Sequence, residues 1–183
     1  SFVFSSDSVP NKWFLEYANN ADVVVHECFV TVDDLVNRIN FPVERALLVG
    51  AQVHNPPEAF GKVMSMVKPR MAVAYHFIND FDTAPNILEG IRQTYDGPLT
   101  LAKDMLVWNV TKDKIDVREV VYNENVLTSP IVERGEIDTS QRESESDFIK
   151  AGVAVFSDVI SDVYSRTNEN YGTDVKTELN EGP

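Results

Sequence analysis

The chain has 183 residues, 43% of them hydrophobic, with 16 basic and 29 acidic side chains for a net charge of −13. That length suits one sizeable core rather than two, and that charge opposes a sequence-independent grip on nucleic-acid phosphates. A single cysteine, Cys28, excludes an intrachain disulfide framework, and no apolar run reaches the roughly 18–20 residues that span a bilayer.

The first element, "SFVFS", reads as a short strand ending at Asp7. With no initiator Met and an opening in mid-strand, the chain reads as a piece of a longer protein whose compartment it does not state. Pro10 suits the first turn of a helix over "PNKWFLEYANN", with Trp13, Phe14 and Tyr17 on one face that should be core. "ADVVVHE" is a β-branched run of the kind found in strands buried on both sides. Thr31 and Asp34 then form a capping box for "VDDLVNRI". A short apolar segment, "ERALLVGAQV", leads to His54. Asn55 can cap the next helix, "EAFGKVMSMVK", which has Pro56 and Pro57 in its first turn. Strand "RMAVAYHF" reaches His76, helix "DTAPNILEGIRQTY" follows, and "DGPLTLA", "DMLVWNV" and "KIDVREVVY" read as three strands, the last two joined by "TKDK". The alternation of elements predicts a layered α/β arrangement over residues 1–122.

Residues 123–183 carry 5 basic and 13 acidic side chains, a net of −8, and read as an acidic extension. Within it, "DFIKAGVAVFSDVISDVYSR" predicts one helix near 147–166, with Ile149, Val153, Phe156, Ile160 and Val163 forming an apolar stripe. Such a stripe docks on its own domain or joins two copies of the chain in a homo-oligomer.

All three histidines fall at element ends, and Asp7 makes a fourth ionisable group there, where α/β folds gather their sites. Each has a plainer use alone: Asp7 as a helix cap, His26 and His76 as core histidines, His54 as a turn residue. Together, one carboxylate and several imidazoles suit Zn²⁺ or a similar borderline metal.

The succession "FSSDS", "ADVVVHECF", "HNPPEAF" and "AVAYHF" resembles the C-terminal half of the metallo-β-lactamase superfamily, on its ribonuclease Z and arylsulfatase-like branch. Asp7 matches the Asp of a Gly-Asp-Thr-like motif, with Ser6 and Ser8 in place of Gly and Thr. His26 and Glu27 match the start of a His-Glu-Ala-Thr motif that Cys28 and Phe29 leave; His54 and His76 match two later histidines. The resemblance spans about residues 1–121.

What it implies is half of a four-layer αββα sandwich and a hydrolase with two zinc ions, or manganese or iron in their place. The family's His-x-His-x-Asp-His motif would lie in an N-terminal half supplied by the rest of the same protein. Asp7 and His76 would bind metal; His54 would protonate the leaving oxygen, Glu27 would hold that imidazole charged, and His26 would support the site from behind. Paired metals turn a bridging water into hydroxide near neutral pH. The expected substrate is a small anionic ester, either a phosphodiester or a sulfate ester. Nucleic acid is disfavoured by charge, and no membrane role is expected. The departures at Cys28 and Asn55 motivate an alternative, a non-catalytic remnant that serves as a binding or structural protein.

Overall fold

The computed structural model describes residues 1–121, 146–153 and 156–177. The polar stretch expected to open the acidic extension lies largely outside these residues.

The strand runs pair as one parallel sheet. β1 (Phe2–Phe4), β2 (Val23–Glu27), β3 (Met71–Tyr75) and β4 (Leu99–Leu101) lie side by side in that order. The register joins Phe4 to Val25, Val25 to Val73 and Val73 to Thr100. Every residue of β2 is buried, as its unbroken β-branched run requires. Because side chains alternate across a strand, Val24, Ala72 and Ala74 face a layer of helices. Val23, Val25 and Val73 face the other way, against Trp108 and Ile115. Those two belong to an antiparallel hairpin of β5 (Leu106–Val110) and β6 (Ile115–Glu119). Beyond the hairpin none of the described residues covers this face, and Phe2 and Phe4 are 62% and 57% exposed.

The helical layer begins with α1 (Lys12–Ala18), capped by the Asn11 side chain on the Trp13 amide. The face it turns inward carries Phe14, Leu15 and Ala18, not the expected Trp13, Phe14 and Tyr17 set; Tyr17 is 77% exposed. Thr31 caps α2 (Val32–Asn37) through the Asp34 amide, as its capping box predicts. The apolar segment after it is helical: α3 (Val43–Leu48) runs into a π-helical turn, Val49–Val53, whose wide ring closes with the His54 amide on the Val49 carbonyl. α4 (Pro57–Val67) and α5 (Ala84–Arg92) cross closely at Gly61, where a Cβ would lie 2.6 Å from the Ile91 carbonyl oxygen. Cys28, fully buried, ends the β2 ladder by donating its amide to the Tyr75 carbonyl.

The single helix expected over 147–166 is two, α6 (Asp147–Gly152) and α7 (Ser157–Tyr171). Val153 leaves the helical path to bridge Asn11, and Phe156, at φ −90° and ψ 71°, is non-helical and takes the N-cap position of α7. The Ile149 side chain lies outside the described residues. α7 is part of the core despite its acidic setting, since Ile160, Val163 and Tyr164 are buried in the same apolar cluster as Leu35, Leu47 and Phe60. Its polar edges are tied down as well. Gln52 donates to the Tyr164 hydroxyl at 2.5 Å, Asn37 to the Tyr171 hydroxyl at 2.7 Å, and Arg166 to Glu58 at 2.6 Å.

Candidate metal centre

All four parallel strands end on the same side, so their carboxyl ends open on a common cleft. β1 delivers Asp7 through Ser6, whose φ of 59° lies in the left-handed region. β2 delivers Glu27, and β3 delivers His76, itself left-handed at φ 72°. Backbone strain of this kind costs about 1–3 kcal/mol per residue and collects at functional sites. The π-helical turn brings His54 to the same place.

Asp7 sits between the two cleft imidazoles. One carboxylate oxygen is 3.2 Å from His54 Nδ1 and the other 3.4 Å from His76 Nε2. One ligand atom from each of the three residues lies within 4.8 Å of the others. Phe29 stacks on His54 with ring centres 4.1 Å apart and planes 17° apart, and its ring centre lies 5.9 Å from that of His76.

Glu27 closes the arrangement from below. It is fully buried, and its Oε1 is 2.7 Å from His54 Nδ1 while accepting the Asn55 amide at 3.0 Å. Burial first, and the Asp7 carboxyl second, push Glu27 up to about 8. Asp7 moves below its ordinary value, chiefly through its hydrogen bond with Glu27. The negative charge of the pair therefore rests on Asp7. Among the described residues Glu27 Oε2 has no hydrogen-bond partner. Burial also lowers His54, although Asp7 partly offsets this. Both shifts run against the charged pair the resemblance implies. The contact is a hydrogen bond in which neutral Glu27 accepts from Nδ1–H, leaving the His54 Nε2 lone pair unencumbered.

The structure thus brings Asp7, Glu27, His54 and His76 together. His26 lies outside the cleft, behind Glu27 in the helical layer, with the Phe14 ring edge-on at 4.9 Å and Phe60 at 6.4 Å. Its Nδ1 donates to the Glu27 carbonyl at 2.9 Å, Nε2 has no partner, and burial lowers it to about 4, so the ring is neutral. Asn55 is not the expected helix cap: Pro56 takes the N-cap position of α4, and the Asn55 side-chain Nδ2 donates to the Glu27 backbone carbonyl at 2.9 Å. Phe29 and Asn55 are the contributors that sequence reasoning missed. The only signal for them was their place beside Glu27 and His54.

A resident metal fits these residues. One carboxylate and two imidazoles form a borderline-metal donor set, three protein donors are what a catalytic zinc site uses while keeping a position open, and the orphaned Glu27 oxygen lies buried beside Asp7. Among the described residues there is no second such cluster.

No protein-family model matches the chain, and no curated protein matches it. Among solved structures it is similar to YhfI of Bacillus subtilis, a metallo-β-lactamase fold protein, with 18% identity and a TM-score of 0.41. That likeness covers 55% of this chain and 36% of the other, so the chain spans little more than a third of that protein's length.

Proposed function

We propose that this chain carries part of a metal-dependent hydrolase of small anionic esters. The observation that supports this most is the 2.7 Å contact between Glu27 and His54 Nδ1, made beside the Asp7 and His76 donors at the ends of three parallel strands. Asp7 and His76 hold the metal, which when bound acidifies water and polarises the ester. The resemblance would extend this to two zinc ions, half of an αββα sandwich, and a phosphodiester or sulfate ester as substrate, with the remaining donors on another part of the protein.

This chain's own residues handle the proton. Glu27 fixes His54 with Nδ1 protonated, so Nε2 takes a proton from the attacking water. The hydroxyl of that water adds to the central atom of the ester and the bond to the leaving oxygen breaks. His54 Nε2 then returns its proton to that oxygen. Phe29 holds the ring flat during the transfer.

A second reading is favoured by the proximity of the three donors: His54 serves as a third metal ligand. His54→Ala separates the two. As a proton carrier, its loss lowers turnover by about 10²–10⁴ with metal content kept, and esters of basic alcohols suffer more than nitrophenyl esters. Metal loss with equal damage to both kinds of ester makes His54 a ligand. An unchanged rate sinks the hydrolytic reading of the dyad.

A further inference from the structure

A cleft of about 620 Å³ leads away from the candidate centre across the carboxyl ends of β3 and β4. That size lies within the ~300–1,000 Å³ of small-molecule sites. His76 forms its inner end, and neither His54 nor Phe29 lines it. Aromatic walls come from Tyr75 and Phe77, and polar ones from Asn79, Lys103 and Asp104.

We propose that this cleft holds the retained arm of a diester substrate, and that the arm is aromatic and uncharged. The inference rests on the hydrolytic reading above. If His54 serves the leaving oxygen, the departing group lies on the His54 and Phe29 side of the centre. The substituent that stays on the central atom then extends past His76 into the cleft. A sulfate monoester has no such substituent and leaves the cleft empty, so the substrate has two organic arms.

The chemistry of the walls selects the arm. Tyr75 is fixed between Phe4, at 5.2 Å between ring centres, and His76, at 6.0 Å, so it offers a rigid aromatic surface. Rings of this kind favour offset or edge-on partners at 4.5–7 Å. The cleft also offers no unpaired cation: the Lys103 ammonium is paired with Glu119 at 2.6 Å, and Asp104 adds a negative charge. A second anionic group on the arm would find no free cation among the lining residues. Asn79 donates one of its two amide hydrogens to the Ala102 carbonyl at 3.1 Å, which fixes it as a neutral polar wall.

The test holds the leaving group constant and varies the arm. With the zinc-loaded full-length protein, phenyl 4-nitrophenyl phosphate should exceed methyl 4-nitrophenyl phosphate in kcat/KM by about tenfold, the worth of one aromatic contact. Tyr75→Ala should bring the ratio near one, and Tyr75→Phe should restore it. Binding of diphenyl phosphate and dimethyl phosphate to the metal-free full-length protein, followed by calorimetry, gives a readout independent of turnover. Diphenyl phosphate should bind about tenfold tighter, with the difference erased by Tyr75→Ala. Equal binding of the two, or a preference indifferent to Tyr75, overturns the cleft assignment. Tight, Tyr75-dependent binding without any hydrolysis keeps the cleft and overturns the catalytic reading.

Discussion

Replacing His26 by Phe tests whether a neutral imidazole in the helical layer makes folding pH-sensitive. The folded ring is lowered from 6.5 to about 4 by burial. In the unfolded chain it titrates normally, so between those values the unfolded state binds more protons and stability falls as pH falls. At about 1.36 kcal/mol per pH unit, the full effect approaches about 3 kcal/mol, and about 2 kcal/mol is already lost between pH 7 and 4.5. Below about 4 both states are protonated and the loss stops. His26→Phe keeps a ring between Phe14 and Phe60, and the Glu27 carbonyl retains its Asn55 donor. Urea denaturation of both proteins from pH 7 to 4.5 reads the difference. With slopes of about 1–3 kcal/mol per M, the wild type should lose roughly 0.7–2 M of midpoint relative to the variant. Glu27, shifted upward, tilts both proteins in the opposite sense and drops out of the comparison. Parallel midpoint curves for the two proteins would show that His26 takes up a proton in place, and the buried neutral ring would be refuted.

Asp7→Ala should weaken zinc binding by more than about a hundredfold in competition with a chromophoric chelator, beyond the ~10–100-fold that loss of a merely supporting residue costs; a smaller change would leave Asp7 outside the ligand set. Ser6→Gly should raise thermal stability, since Ser6 holds a φ of 59° that costs about 1–2 kcal/mol outside glycine, and a fall in melting temperature would show that the Ser6 side chain does something the left-handed turn does not explain. Ile160→Ala should cost about 2–5 kcal/mol in denaturant unfolding because its side chain is 7% exposed within the main core, whereas a loss under 0.5 kcal/mol, as at a free surface, would detach α7 from that core.

The strand ends were the legible part of the sequence. Runs such as "VVVHE" announce both a buried strand and the ionisable group that stops it, so Asp7, His26, Glu27 and His76 could be marked at strand ends and His54 before a helix, while their roles came from the family resemblance. Direction was harder. Adjacent residues of a strand point to opposite faces, so His26 and Glu27 could not both enter the cleft, and the pattern did not say which would. The amphipathic reading of α1 selected Tyr17 over Leu15 because helical spacing fixes a face but not its rotation against the sheet. The apolar stripe of α7 was legible and so was docking on its own domain as one of its two uses, but the break between α6 and α7 was not, because the stripe's spacing runs unbroken through Val153 and Phe156. The π-helical turn before His54 has no sequence signature, being one extra residue fitted into helical spacing.

Cys28 gives the fold a built-in clock. It is the chain's sole thiol, fully buried where β2 meets the candidate centre, and burial holds it well above its ordinary pKa. A thiol reagent attacks the thiolate and needs access, so labelling proceeds only through molecules in which the end of β2 has opened. The labelling rate in native buffer, set against that of the unfolded chain, gives the free energy of that opening. Because no other cysteine competes, the reading belongs to one place. Zinc held by neighbouring strands would close the same door, and slower labelling would report the ion without any substrate.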